Sequence, residues 1–175
     1  MMAKSHLAIG TCGYLVLAAA GLVEVSPAAA GAAILGSLLP DIDTPYSALG
    51  RFVPFVSMPF YKHIGHRSFT HSIAGFLAIT IIAVIFARFF DIPGPAIAFL
   101  TGYALHILAD LPAGGCFLFY PFNHVRVKCW PDIKTGSLSE VAVAGPTIAF
   151  LLLLAWHFSI NTHSSSFFFH YRPEL

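Results

Sequence analysis

Charged residues are scarce in this sequence. Nine Lys or Arg and eight Asp or Glu occur among its 175 residues, so charged side chains make up 10% of the chain and hydrophobic ones 57%. A typical soluble domain carries about 25% charged and about 45–50% apolar residues. The composition therefore argues against an ordinary water-soluble domain and favours a single domain embedded in a lipid bilayer.

Cysteine pairs and basic clusters are missing as well. The three cysteines, Cys12, Cys116 and Cys129, include no Cys-x-x-Cys pair, so the chain lacks the short motifs of zinc ribbons and thioredoxin-like proteins. We expect these thiols to be reduced. The net charge is +1 and no run of Lys and Arg occurs, which argues against a nucleic-acid-binding surface.

Stretches free of Asp, Glu, Lys and Arg are long, and several approach the ~20 residues that cross a bilayer as a helix. Proline, glycine and aspartate separate them at typical helix starts and stops. We predict an all-α, polytopic membrane bundle of about five helices, with residues 1–160 as one domain and residues 161–175 as a short tail. The predicted helices are Leu7–Val23, Pro27–Leu39, Thr70–Phe89, Pro95–Leu111 and Ser139–Ser159.

Two alternatives concern the first part of the chain. The stretch Val25–Leu39 is short for a span, so it is either a tight Ala/Gly-rich helix buried among the others or a re-entrant segment. Leu7–Val23, followed by the small residues Ala28–Ala30, also has the pattern of a signal peptide, whose cleavage would discard His6. The later apolar stretches predict a multi-pass protein in either case.

Lys and Arg predict the orientation of the bundle. If each helix crosses once, the N-terminus and the two long loops share one side, which carries seven Lys or Arg against two on the other. The positive-inside bias then places the long loops in the cytoplasm.

Residues that can bind a metal collect at that same predicted side, close to the helix ends. We expect them to form one divalent metal site, with zinc favoured by the histidine content and manganese or magnesium as alternatives. The candidate ligands are His6, Asp41, Asp43, His66, His71, His106 and Asp110.

Local spacing supports this grouping. His106 and Asp110 are four residues apart on a predicted helix, so their side chains emerge from one face. Asp41 and Asp43 follow a helix end, and in an extended stretch they would point the same way and could bind one ion or bridge two. The alternative for each residue alone is structural: a buried histidine bonded to the backbone, or an aspartate that caps a turn. In the third helix, we expect Thr70 or Ser68 to be the cap and His71 to lie in the first turn.

Three residues are candidates for a catalytic role. Arg67 has a planar fork of donors that suits a phosphate, or it is a membrane-interface anchor. Asp43 or Glu140 can accept a proton from water. For Glu140 the alternative is a carboxylate favoured at a helix N-terminus.

Four segments resemble the YdjM-like, LexA-regulated, membrane-bound metal-dependent hydrolases. They are the early His6, the stretch Leu39–Asp43 (LPDID), the stretch His66–Ser72 (HRSFTHS) and the stretch Gly102–Asp110 (GYALHILAD). The resemblance implies a bacterial inner-membrane protein that is metal-dependent and, in some members, induced by DNA damage as part of the SOS response. It also implies a distant similarity to zinc phospholipase C and P1-type nucleases, which cleave phosphoesters.

Residues and resemblance together predict a metal-dependent hydrolase that acts on a phosphoester of a lipid or another amphiphile. The metal would activate water, and Arg67 would stabilise the charge of the transition state. The alternative is a non-catalytic membrane protein, either a metal-binding transporter or a structural bundle held together by its polar layer.

Overall fold

The structure is a computed structural model that describes the backbone of residues 1–169 and the side chains of residues 1–161. It is all-helical, as predicted, and among these residues β-structure is limited to one isolated bridge between Cys116 and Val127. The helices are α1 (Ala3–Ala19), α2 (Pro27–Leu38), α3 (Pro54–His63), α4 (Ile73–Phe90), α5 (Pro93–Asp110) and α6 (Leu138–Phe169).

One helix, α3, was not among the five predicted helices. It lies in the stretch predicted to be the first long loop. Pro54 provides the preset backbone angle of a first helical residue. The hydroxyl of Ser57, which is fully buried, donates a hydrogen bond of 2.9 Å to the carbonyl of Gly50 and ties α3 to the preceding turn. The other five helices correspond to the five predicted ones.

The centre of the bundle is formed by α1, α2 and α5, which approach closely through small residues. A Cβ atom at Gly36 would lie 2.0 Å from the carbonyl oxygen of Phe99, and one at Gly102 would lie 2.3 Å from that of Ala33. Such close backbone approach is typical of membrane helices that pack through glycine and alanine. One face of the 12-residue α2 is therefore buried against its neighbours, with Ala29 and Ala33 fully inaccessible, while its opposite face is exposed.

Two helices, α4 and α6, lie on the outside of this centre. Ile73–Phe90 and Leu138–Asn161 have mean hydropathies of 2.4 and 1.9, and only 11% of each segment is buried inside the protein. Large apolar side chains such as Ile81 and Leu153 remain more than half exposed. By length and composition, these two described helices are candidate membrane spans, and a bilayer would cover their apolar surface.

The start of α4 differs from the prediction. Phe69–His71 form a 3-10 turn, and α4 begins at Ile73 because the Ser72 side chain accepts a hydrogen bond from the backbone N–H of Gly75. The predicted helix start at Thr70, with Thr70 or Ser68 as the cap and His71 in the first turn, is therefore wrong.

The end of α6 also differs from the prediction. The helix continues to Phe169, past the predicted end at Ser159 and into the predicted tail. Residues 170–175 of that tail lie outside the described residues.

Candidate metal centre

The ends of three helices bring the candidate ligands together. Asp41 and Asp43 lie in a 3-10 turn, Leu39–Asp43, that directly continues α2. The expected extended stretch is therefore absent, and the two carboxylates point to different partners. His71 closes the turn before α4, and His106 and Asp110 lie in the last turns of α5.

Four side chains form one compact group. The ligand atoms of Asp41, His71, His106 and Asp110 all lie within 4.8 Å of one another. The two imidazole Nε2 atoms are 3.2 Å apart. Nε2 of His71 lies 3.7 Å from Oδ1 of Asp41 and 3.5 Å from Oδ2 of Asp110. Nε2 of His106 lies 3.6 Å and 3.8 Å from the same two oxygens.

The hydrogen bonds of the two Nδ1 atoms determine whether each Nε2 atom presents a proton or a lone pair to the middle of this group. Nδ1 of His106 lies 2.6 Å from the carbonyl oxygen of Ser37, and a carbonyl only accepts, so this nitrogen is the donor. Nδ1 of His71 lies 3.0 Å from the hydroxyl of Thr70, which itself donates to Asp43. In the neutral rings, both Nε2 lone pairs then point inward, as in metal-binding histidines held by outer hydrogen bonds.

These distances fit one bound cation. Ligand atoms of a tetrahedral zinc site with bonds of about 2.0–2.2 Å are separated by roughly 3.3–3.6 Å. The separations that involve the two Nε2 atoms, 3.2–3.8 Å, bracket that range. Oδ2 of Asp110 faces both histidines and also lies 3.0 Å from Nε of Arg67. Four acceptors that converge in this way favour a positive charge between them, either a metal ion or a proton on a ring, in addition to the Arg67 guanidinium and the N-terminal ammonium that already contact Asp110.

The pKa shifts indicate the same electrostatic environment. Burial alone would lower the pKa of His71, but the carboxylates of Asp110, Asp41 and Asp43 outweigh burial and raise that pKa well above 6.5. Burial alone would raise the pKa of Asp41, yet the adjacent imidazoles of His106 and His71 hold it below its ordinary value. The group therefore favours a cation at its centre.

Asp43 and His66 lie beside this group. Oδ1 of Asp43 is 2.6 Å from Nδ1 of His66, and its Oδ2 accepts from the backbone N–H of Arg67 and the hydroxyl of Thr70 at 2.9 and 2.7 Å. A separation of 2.6 Å is a hydrogen bond and is too short for two ligands of one ion. Ligand atoms of Asp41, Asp43 and His66 also lie within 4.8 Å of one another and form a second, overlapping group.

His6 contacts the other face of Asp110. Its ring stacks on that of His106 with centroids 3.7 Å apart, and its Nε2 lies 3.3 Å from Oδ1 of Asp110. The metal group uses Oδ2 of the same carboxylate. His6 is thus buried within the cluster, but it is not one of the four converging ligands.

Arg67 holds Asp110 in place. Its Nε and Nη2 atoms each lie 3.0 Å from one oxygen of this carboxylate, and Nη1 donates to the carbonyl of Ala113. Only 13% of the Arg67 side chain is exposed. The predicted donor fork is therefore present, but its partner is a side chain of the protein.

Glu140 belongs to a different set of contacts. One of its oxygens accepts from the backbone N–H of Met2 and the hydroxyl of Ser5, at 2.7 and 2.6 Å, and the other accepts from the N–H of Gly136 at 2.7 Å. It lies near the start of α6 and ties this helix to the start of α1. The contacts correspond to the structural alternative for this residue.

Sequence reasoning missed the residues that orient the histidines. The Ser37 carbonyl is a backbone group and has no sequence signature. The sequence predicts Thr70 or Ser68 as a helix cap, whereas the buried hydroxyl of Thr70 contacts Nδ1 of His71 and donates to Asp43.

The fold and the site together define an all-helical membrane protein with a buried candidate metal centre at one end of its helices. The YdjM inner membrane protein family model matches residues 1–170, so this chain belongs to that family.

Relatives extend over different parts of the chain. An uncharacterized protein, YvsG of Bacillus subtilis, is 34% identical over 131 residues, which are 74% of this chain and 78% of YvsG. The inner membrane protein YdjM of Escherichia coli is 42% identical over 88 residues, which are 47% of this chain and 44% of that protein. No solved structure matches significantly.

Proposed function

We propose that this chain is a membrane-bound, metal-dependent hydrolase in which Asp41, His71, His106 and Asp110 hold one divalent ion. The observation that carries the proposal is the convergence of four ligand atoms whose two imidazole lone pairs face inward. Two nitrogen and two oxygen ligands suit zinc, with manganese as the alternative. When bound, such an ion is a Lewis acid and lowers the pKa of water toward neutrality.

The surrounding residues would orient the ligands. Ser37 and Thr70 fix the ring orientation of His106 and His71, and Arg67 fixes the carboxylate of Asp110. Outer contacts of this kind commonly change metal affinity by about 10–100-fold. In this proposal Arg67 acts through Asp110, and Glu140 supports the helices.

The exposure of the side chains around the metal group supports a site that a substrate can reach from one side only. The side chains of His71, His106 and Asp110 are at most 1% exposed, whereas Asp41 is 15% exposed and His66 is 34% exposed. Substrate would therefore approach past Asp41 and His66, and water is excluded from the other sides.

The position of the group along α4 supports an amphiphilic substrate. His71 lies two residues before this candidate span, so a bilayer crossed by α4 would end at the level of the metal group. We propose a phosphoester of a lipid or another amphiphile as the substrate. The excess of Lys and Arg in the loops on that side supports a multi-pass topology with the site facing the cytoplasm.

A non-catalytic metal-binding membrane protein, a transporter or a structural bundle, is the second candidate. One contact favours it: the guanidinium of Arg67 is already paired with Asp110 and is not free to bind a phosphate.

Metal analysis combined with activity assays tests the proposal. Detergent-purified protein, His71→Asn, Asp110→Asn and the control His63→Asn at the exposed end of α3 are compared for bound zinc and for hydrolysis of lipid and nucleotide phosphoesters. We expect about one zinc in the wild type and in His63→Asn, and loss of metal and turnover in the other two. Metal retained by both site variants would contradict the site. Metal without turnover in the wild type would favour the second candidate.

A further inference from the structure

An apolar cleft lies between α4 and α5, at the ends of these helices that carry His71, His106 and Asp110. It has a volume of about 270 Å³. An apolar cavity of about 150 Å³ already accommodates a benzene ring, so this cleft has room for a segment of alkyl chain. Its lining includes Ile73 and Phe76 of α4, Ala104, Leu108 and Leu111 of α5, and Leu118 of the following loop.

The lining of the cleft includes the chain neighbours of three of the four candidate ligands. Its lining residues Ser72, Ile107 and Leu111 directly follow His71, His106 and Asp110 in the chain. Ser72 is the one polar residue of the lining, and its hydroxyl donates to the carbonyl of Phe69 while it caps α4. The cleft therefore offers no free polar group, and water inside it would lose hydrogen bonds.

The outer end of the cleft opens toward the surface that a bilayer would cover. Leu108 is 57% exposed and Ile73 is 48% exposed. Leu108 also lines a neighbouring cavity of about 190 Å³ that is bounded by Val143 and Thr147 of α6. The opening thus faces the region between α4 and α6, the two described candidate spans.

We propose that this cleft binds one acyl chain of a membrane lipid and lets the lipid enter from the side, with its headgroup at the metal group. The chemistry of the lining selects an alkyl chain, because the lining is apolar except for the already bonded Ser72 hydroxyl and is open to the hydrocarbon layer. The position of the headgroup rests on the proposed function, whereas binding of the chain does not.

The test compares two matched substitutions. Ala104→Phe fills the cleft. Ala83→Phe places the same side chain in a second apolar cavity of about 260 Å³ between α2, α4 and α5, none of whose lining residues directly follows or precedes a candidate ligand in the chain. Each variant is embedded in phosphatidylcholine vesicles with a phosphatidic acid that carries a diazirine in the middle of one acyl chain. After illumination, the labelled positions are mapped by mass spectrometry.

We expect the wild type and Ala83→Phe to be labelled mainly at residues 72–76 and 104–111. In Ala104→Phe, labelling there should fall about tenfold, which is the effect of losing contact with one or two methylene groups. Zinc content and thermal unfolding should be the same in all three proteins, which shows that the variants fold.

Two results would overturn the inference: labelling spread evenly over the exposed face of α4, including Leu77 and Ile81, or equal labelling of the cleft in both variants. Labelling does not depend on turnover. A labelled cleft in a protein without hydrolase activity would therefore refute the proposed function and leave the acyl-chain site standing.

Discussion

Replacement of Arg67 by lysine distinguishes a residue that orients a metal ligand from one that binds substrate. The guanidinium of Arg67 contacts both oxygens of Asp110 and the carbonyl of Ala113. Lysine keeps the positive charge, but its compact ammonium cannot reach all three acceptors at once as the planar guanidinium does. Asp110 would then turn more freely, and its Oδ2 would no longer be held toward His71 and His106.

The size of the effect follows from these contacts. A hydrogen bond to a charged group contributes about 1.5–3 kcal/mol, and part of the lost bond is replaced by the ammonium. We expect zinc affinity to fall about 10–100-fold, which corresponds to about 1.4–2.7 kcal/mol. The backbone φ of Arg67 is +62°, and lysine adopts this left-handed conformation at the same cost as arginine, so backbone strain cancels in the comparison.

A competition titration with a fluorescent zinc chelator measures this change in detergent. Arg51→Lys is the matched control, because the Arg51 guanidinium is exposed and donates to the Tyr46 carbonyl, away from the metal group. If Arg67→Lys binds zinc as tightly as the wild type and loses turnover alone, Arg67 contacts the substrate and our interpretation of its role is wrong.

Three further predictions concern packing, support and protonation. Gly102→Ala would place its Cβ 2.3 Å from the carbonyl of Ala33 and should lower the stability by about 1–3 kcal/mol in thermal unfolding, whereas Gly31→Ala, with nothing within 4 Å, should be neutral or slightly stabilising. Glu140→Gln should lower the melting temperature because it weakens three hydrogen bonds, while zinc content stays unchanged; loss of zinc would contradict its assignment to helix support. Zinc affinity should fall as the pH drops through the raised pKa of His71, because a proton competes for Nε2, and a flat titration would refute this competition.

The sequence predicted which residues converge because helix ends can be read from it. Long uncharged stretches, bounded by proline and glycine, indicate where each helix stops. A bundle of antiparallel helices brings alternate ends to one level. The structure brings all seven candidate ligands into one cluster for this reason, although they are spread from His6 to Asp110.

Two contacts of Arg67 were not predictable, because they depend on the loop after α5, which has no periodic pattern. The chain after α5 returns over Arg67, where the N–H of Phe117 donates to its carbonyl. Gly114 makes the approach possible: its φ is +105°, and a Cβ there would lie 2.6 Å from Nη1 of Arg67. Neither contact can be inferred from helix ends, so the sequence presented Arg67 as a free cation.

The division of the cluster into metal ligands and supporting residues depends on single atoms. His106 can bind an ion through Nε2 because its Nδ1 faces the Ser37 carbonyl, and a carbonyl at that place is supplied by any residue type. What the sequence controls is the distance between α2 and α5, through Gly102, whose Cα hydrogen faces the backbone of Ala33 and Ser37. The glycine at position 102, about one turn before His106, thus helps to set the position of the Ser37 carbonyl that orients His106. An orientation that rests on backbone contacts is one that no ligand motif records.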